Sequence, residues 1–213
     1  MHALGQVVSF VSHDAFPVER LALALNSILP CDLTARDAAR VQSGFSARLH
    51  ALERSYTYAV YNRPQPSAVL HRFAYHEHRR LDLERMREAA AAFVGTHDFV
   101  TFCGVLPERG GTVRTLNALE LERDGEMLKL HFRGKGFLHR MVRVLTGTLL
   151  DIGAGRREPA EAAAMLAALD RRAAGPTAPP QGLFLVDVRY ADFRSQDGGA
   201  RLPPLVAVAA QSS

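Results

Sequence analysis

Cysteine is nearly missing from this chain. There are two in 213 residues, Cys31 and Cys103, far apart and with no C-x-x-C pair. That excludes a disulfide-stapled scaffold and a cysteine zinc framework, and fits thiols of a reducing compartment. Lysine is as scarce, with Lys129 and Lys135 the only two. No apolar run reaches the roughly 18 residues of a membrane span. The start, Met1-His2-Ala3-Leu4-Gly5-Gln6, lacks the basic region and apolar stretch of a secretory signal. A cytoplasmic protein with no membrane attachment is the expectation. Walker A, G-x-G-x-x-G, G-x-S-x-G and H-E-x-x-H patterns are also absent. His71, His76 and His78 gain no Asp, Glu or Cys at zinc spacing, so no metal centre is expected.

What is present is the composition of a globular protein, 47% hydrophobic and 23% charged. The length suits one large domain or two small ones. The net charge is +4 and is carried almost wholly by arginine. Arginine's planar fork grips oxyanions bidentately. The excess permits a nucleic-acid partner, and coding bias, visible also in the alanine content, explains it equally well.

Gln6–Val11 reads as a strand, and Phe16–Leu25 as a helix with Pro17 in its first turn. Ser55–Tyr61 alternates as a strand, with Arg54, Tyr56, Tyr58 and Val60 on one face and Ser55, Thr57, Ala59 and Tyr61 on the other. Leu83–Phe93 is a helix with Asp82 as N-cap and Gly95 beyond its end. Thr112–Glu122 and Met127–Arg133 form a hairpin around Asp124-Gly125. Leu138–Ile152 reads as an amphipathic helix closed by Gly153, with a buried stripe of Leu138, Met141, Val142, Leu145, Leu149 and Ile152. Pro159–Leu169 is a further helix and Leu183–Tyr190 a last strand, with Phe184, Val186, Val188 and Tyr190 facing the core and Leu183 and Leu185 facing away. The class is α+β, with mostly antiparallel sheets backed by helices. The parts are residues 1–94, 95–193 and a loose tail, 194–213.

Three features could carry chemistry. Arg143 sits beside the buried stripe, where it either snorkels or answers a carboxylate or phosphate. Tyr56 and Arg54 share a sheet face that either packs in the core or stacks on an extruded base. Leu185 either lines a cleft or meets another layer. His97-Asp98 near Cys103 matches no thiol-nucleophile signature.

Several stretches, in order, resemble the bacterial tRNA pseudouridine synthase A family. They are His2-Ala3-Leu4-Gly5-Gln6-Val7-Val8-Ser9-Phe10, Asn26-Ser27-Ile28-Leu29-Pro30-Cys31-Asp32, Phe45-Ser46-Ala47-Arg48 and Arg54-Ser55-Tyr56-Thr57-Tyr58. Gly95-Thr96-His97-Asp98-Phe99, Gly136-Phe137-Leu138-His139-Arg140-Met141-Val142-Arg143 and Gly182-Leu183-Phe184-Leu185 follow. The resemblance implies two ferredoxin-like halves around a basic cleft, as a homodimer. It implies isomerisation of uridine to pseudouridine at tRNA positions 38 to 40, in the anticodon stem-loop, without cofactor or metal. By it, Arg143 pairs with the nucleophilic Asp, Tyr56 packs on the target base and Leu185 is part of the pocket wall. Arg48, Arg54 and Arg140 are the RNA-backbone contacts it suggests.

The family's Asp lies in a Gly-Arg-Thr-Asp-x-Gly-Val-His stretch, and here Met1 takes the Val place and His2 the His place. Asp14 is closest in sequence, in an unrelated setting. The first half is therefore expected to be incomplete, with exposed apolar surface. A non-catalytic RNA-binding protein and an unrelated hydrolase using His and Cys are the competing readings. The expected outcome is that the purified 213-residue chain forms no pseudouridine when incubated with tRNA.

Overall fold

The computed structural model describes residues 1–12 and 16–196. The alternating β-formers of Glu53–Asn62 make the ten-residue strand β2. One edge of β2 pairs antiparallel with β6 (Met127–Gly134). Its other edge pairs antiparallel with β7 (Leu183–Arg189) and, farther along, parallel with the short β3 (Tyr75–Glu77). β5 (Val113–Asp124) continues the sheet beyond β6, and β4 (Gly95–Asp98) continues it beyond β5. β1 (His2–Ala3) lies parallel on the outer edge of β7. The order is β1-β7-β2-β6-β5-β4, with β3 beside β2. A mostly antiparallel sheet with helices against it is the α+β class that the sequence indicates.

Helices α2 (Leu83–Phe93), α3 (Met141–Gly153) and α4 (Glu161–Ala167) collect on one face of this sheet. They bury Met86, Phe93, Leu145, Leu149 and Met165 against Tyr58, Val60, Leu128, Leu130 and Phe132. On the opposite face Ala59, Tyr61, Met127 and Phe184 are covered by Leu70 and Ala74. The two faces of β2 are thus divided as its alternation requires. Local signals set the boundaries: Asp82 Oδ1 accepts from the Glu84 and Arg85 amides at 3.0 and 3.2 Å. Gly95, at φ 120°, turns the chain out of α2 into β4.

The structure departs from the sequence reading in five places. Gln6–Val11 is not a strand: pairing ends where the Leu4 and Gly5 amides both reach the Leu185 carbonyl, at 2.8 and 3.4 Å. Val7 then packs under β7, and Ser9 Oγ accepts from the Ala47 amide. The hairpin turn falls one residue later than Asp124-Gly125, because Asp124 already pairs with Met127. Helix α3 starts at Met141 and not Leu138, because Arg140 sits in the left-handed region at φ 60°, outside helical geometry. Nor is α3 amphipathic: twelve of its thirteen residues are buried and Arg143 is the exception, as suits a central helix. Helix α4 is shorter than Pro159–Leu169, and Leu169 is left-handed too, at φ 50°.

The fifth departure reassigns a face. Ser55 pairs with Asp187 but Tyr56 pairs with Leu185, so Val186 is bulged out of the ladder. One extra residue inverts the alternation. Val188 and Tyr190 consequently share a cluster with Leu185, while Phe184 belongs to the opposite face. Ser195 and Gln196 stitch this irregular stretch: Ser195 Oγ accepts from the Val188 amide at 2.8 Å and Gln196 Nε2 donates to the Val186 carbonyl at 2.6 Å. Residues 197–213 of the predicted tail, and His13 and Asp14, lie outside the described residues.

Helix α1 (Val18–Asn26) buries no residue, and Val8, Phe10, Val11, Leu23 and Ile28 are exposed. The apolar stripe of Leu21 and Leu25 is only half covered.

Gly147, in the middle of α3, has ordinary helical φ, so its lack of a side chain serves close approach. A Cβ there would lie 1.9 Å from the Pro176 carbonyl oxygen. Gly147→Ala must push residues 174–178 off the helix and should cost about 1–3 kcal/mol. The check is the urea midpoint, which should fall with an unchanged slope.

Candidate functional site

Tyr56 stands on the helix-bearing face of β2, directly opposite Leu185 of β7. Its ring meets Phe137 edge-on, with centroids 5.1 Å apart and planes at 83°. That contact fixes the tyrosine while leaving it half-buried. Burial pushes its hydroxyl pKa up, against the opposing charge of Arg54. Leu185 is 8% exposed and packs with Tyr190, Val188 and Tyr56. It therefore meets packed neighbours and also borders Tyr56.

Arg54 is the tie between two loops. Its Nη1 donates to the Lys135 carbonyl at 2.9 Å and its Nη2 donates to the Arg48 carbonyl. Two of the five guanidinium N–H groups are thereby used, and the charge is kept. The Arg48 loop is fixed a second time by Tyr190 Oη, which donates to the Ala47 carbonyl at 2.8 Å. Arg48 itself is exposed. Arg54 so draws Arg48 and Lys135 to the same edge, beside Tyr56.

Arg143 is the half-buried exception in α3. Its Nε donates to the Ala178 carbonyl at 2.6 Å, and the Ala178 amide donates back to the Arg143 carbonyl at 3.0 Å. No carboxylate among the described residues pairs with it; its two terminal nitrogens remain. Burial and the neighbouring positive charge of Arg140 push its pKa down. Both mark a cation short of an anion. Beneath it is Tyr58, wholly buried, whose hydroxyl donates to the Pro179 carbonyl at 2.7 Å. Burial raises the Tyr58 pKa and Arg143 opposes that rise. The Nε is held on the protein, and the two terminal nitrogens remain for solvent or an anion.

The sequence-derived residues lie on linked elements: Tyr56 meets Phe137, just before α3, and Tyr58, on the same face of β2, lies near Arg143. Tyr56, Leu185 and Arg54 come from the β2–β7 ladder, Arg48 joins through Arg54, and Arg140 and Arg143 come from the start of α3. Phe137, Tyr58 and the Ala178–Pro179 carbonyls complete the arrangement. Phe137 was visible only as part of its motif. The Ala178–Pro179 stretch is irregular and carries no periodic signal.

The other face of the sheet holds a depression of about 520 Å³ lined by Ser55, Thr57, Glu120, Glu122, His131 and Arg133. Thr57 Oγ1 lies 3.0 Å from His131 Nδ1, and His131 Nε2 lies 3.2 Å from Glu122. Arg133 pairs with Glu120 at 2.8 Å and Lys129 with Glu122 at 3.7 Å. Every cation there is answered, so that face has no charge to offer a phosphate. Cys103 is buried and donates to the Val105 carbonyl, while His97 Nε2 is engaged with the Val94 carbonyl. The pair that a His–Cys hydrolase would need is not assembled. Among the described residues no cluster of His, Cys, Asp or Glu is arranged to hold a metal ion, and no helix is long and apolar enough to cross a membrane.

Comparison with known proteins places the chain in a family. A family model described as tRNA pseudouridine synthase matches residues 89–191. The tRNA pseudouridine synthase A of Bacillus subtilis is 43% identical over 190 residues, covering 89% of this chain and 77% of that protein. That of Acetivibrio thermocellus is 40% identical over 190 residues, covering 89% and 78%. That of Halalkalibacterium halodurans is 45% identical over 184 residues, covering 86% and 70%. With this extent of identity over most of both chains, the chain belongs to the tRNA pseudouridine synthase A family.

Proposed function

We propose that this protein isomerises uridine to pseudouridine at positions 38 to 40 of the tRNA anticodon stem-loop, as a cytoplasmic homodimer. The observation that carries the reading is Arg143, held by Nε on Ala178 and paired with no carboxylate among the described residues. In the reaction the bond from the sugar to the base nitrogen breaks, the uracil turns, and a bond from the sugar to a base carbon forms. A carboxylate nucleophile assists the break, and it must be ionised to act. A guanidinium beside it favours the ionised state and can hold both oxygens.

The register of β1 supports this placement. His2 pairs with Phe184 and Ala3 with Leu185, in parallel. Followed backwards, the chain before β1 runs toward Leu183, whose cross-strand partner is Tyr58, the residue under Arg143. In the family pattern the nucleophilic Asp stands three positions before the residue that Met1 occupies. In our reading that Asp meets Arg143 there, and pseudouridine formation requires it.

Tyr56 then packs on the uracil that has left the stack, and Leu185 walls the pocket. Taking a base out of its stack costs a few kcal/mol, which contacts in the pocket must offset. Arg48, Arg54 and Arg140 meet the phosphate backbone. A non-catalytic RNA-binding role would leave Arg143 with no carboxylate to answer, so the catalytic reading is preferred.

The test compares the 213-residue chain with one extended upstream through Gly-Arg-Thr-Asp-x-Gly, by mapping pseudouridine in anticodon-stem-loop RNA. The extended protein should form it and the unextended chain should not; failure of the extended protein overturns the assignment. In the extended protein, Arg143→Lys should lower kcat about 100-fold with little change in KM, because a single ammonium cannot replace the fork. Tyr56→Leu should weaken substrate use about 10-fold or more, while Tyr56→Phe retains most of it. Both are read from kcat/KM on the same RNA.

A further inference from the structure

We infer that the loop from Gly104 to Gly111 carries an RNA wedge, Val105 and Leu106, that fills the place of the extruded base. The inference rests on the reading that this edge of the protein binds an RNA hairpin.

Val105 is 62% exposed and Leu106 64%, adjacent in sequence on one loop. Neither covers any part of the core. The loop is nevertheless fixed at both ends, one of them on the segment that carries Arg140 and Arg143 and the other by Arg114 of β5, which lies beside Gly136. At one end the Gly104 amide donates to the His139 carbonyl at 2.8 Å. Gly104 presses so closely on that segment that a Cβ would lie 3.0 Å from both Arg140 Cδ and His139 Nδ1. At the other end Arg114 Nη1 donates to the carbonyls of Gly111 and Val113, at 3.2 and 2.7 Å. The Arg114 side chain lies along Gly136, one residue before Phe137.

Between the anchors the loop has two kinds of backbone. Cys103 Sγ donates to the Val105 carbonyl at 2.9 Å, and Pro107 restricts Leu106 to extended geometry, so the apolar pair is held out. Gly110 and Gly111 are left-handed, at φ 88° and 64°, and let the chain reverse. The pair follows directly on Gly104, which lies against Arg140, itself at φ 60°, and Glu108 and Arg109 come next on the loop. An apolar tip beside arginine suits a polyanion that exposes apolar surface locally. A nucleic acid with an opened base step does that. Aliphatic side chains inserted at such a step replace the stacking that the departing base gives up.

The test uses the 213-residue protein and an anticodon-stem-loop hairpin with 2-aminopurine next to the target uridine. On binding, the wild type should raise the 2-aminopurine fluorescence, reporting an opened step. The double variant Val105→Ser, Leu106→Ser should lose most of that rise at saturating protein. It should bind about tenfold more weakly, with an unchanged slope of log affinity against log salt. Leu106→Met should behave as wild type. The replaced residues are exposed, and an unchanged thermal melt confirms that the fold is kept. A full fluorescence rise with the double variant overturns the wedge. Wild-type binding without any rise also overturns it, and leaves RNA binding standing. A wild type that fails to bind the hairpin overturns the functional reading and the wedge with it.

Discussion

A guanidinium taken half out of water needs an anion, and much of this molecule is arranged around one such group. Arg143 is the only residue of α3 that is not buried, and its Nε is fixed on the Ala178 carbonyl. That carbonyl is in place because Gly147 lets residues 174–178 lie against the helix backbone. The floor below is Tyr58, anchored on Pro179, and its ring is in place because Gly182 has no side chain: a Cβ there would lie 2.8 Å from Tyr58 Cε1. Two glycines, at ordinary backbone angles, thus set the position of one cation. A partly desolvated guanidinium gains from an anion beside it, and this one pairs with no carboxylate among the described residues.

Sequence periodicity made the main elements legible. β2, α2, the β5–β6 hairpin and β7 follow from alternation, from an Asp cap and from glycine. The buried stripe of α3 was equally plain. It was read as one face because Thr146, Gly147, Thr148 and Asp151 look polar or small, yet all four are buried. Thr146 and Thr148 return their hydroxyls to carbonyls four residues back, which removes the cost of burying them. Nothing local in the sequence announces that.

The site was legible in part, and for a different reason. Tyr56 and Arg54 were placed on one face by alternation alone, and Arg143 by its seat beside the stripe. The partners of Arg54 were not foreseeable, because they are main-chain carbonyls of loops, at Arg48 and Lys135. Leu185 was put on the wrong side relative to Val188 and Tyr190 because a bulge costs one residue and leaves no composition mark. Its supports, Ser195 and Gln196, come from beyond the strand.

The order of strands in space also bears on the order in which the protein can form. β7 lies between β1 and β2, yet it comes last in chain order among the described strands. β2 ends at Asn62, but its β7 partner begins only at Leu183, about 120 residues later. At about 5–20 residues per second that interval is roughly 6–24 s. During it one edge of β2 is open along the length that β7 will cover. The β4–β5–β6 meander can assemble meanwhile, from contacts close in sequence, and β2 can join it through β6. Tyr56 meets Leu185, and β1 joins the sheet, only in the final step. The contact between Tyr56 and Leu185 therefore forms only after β7 has been made.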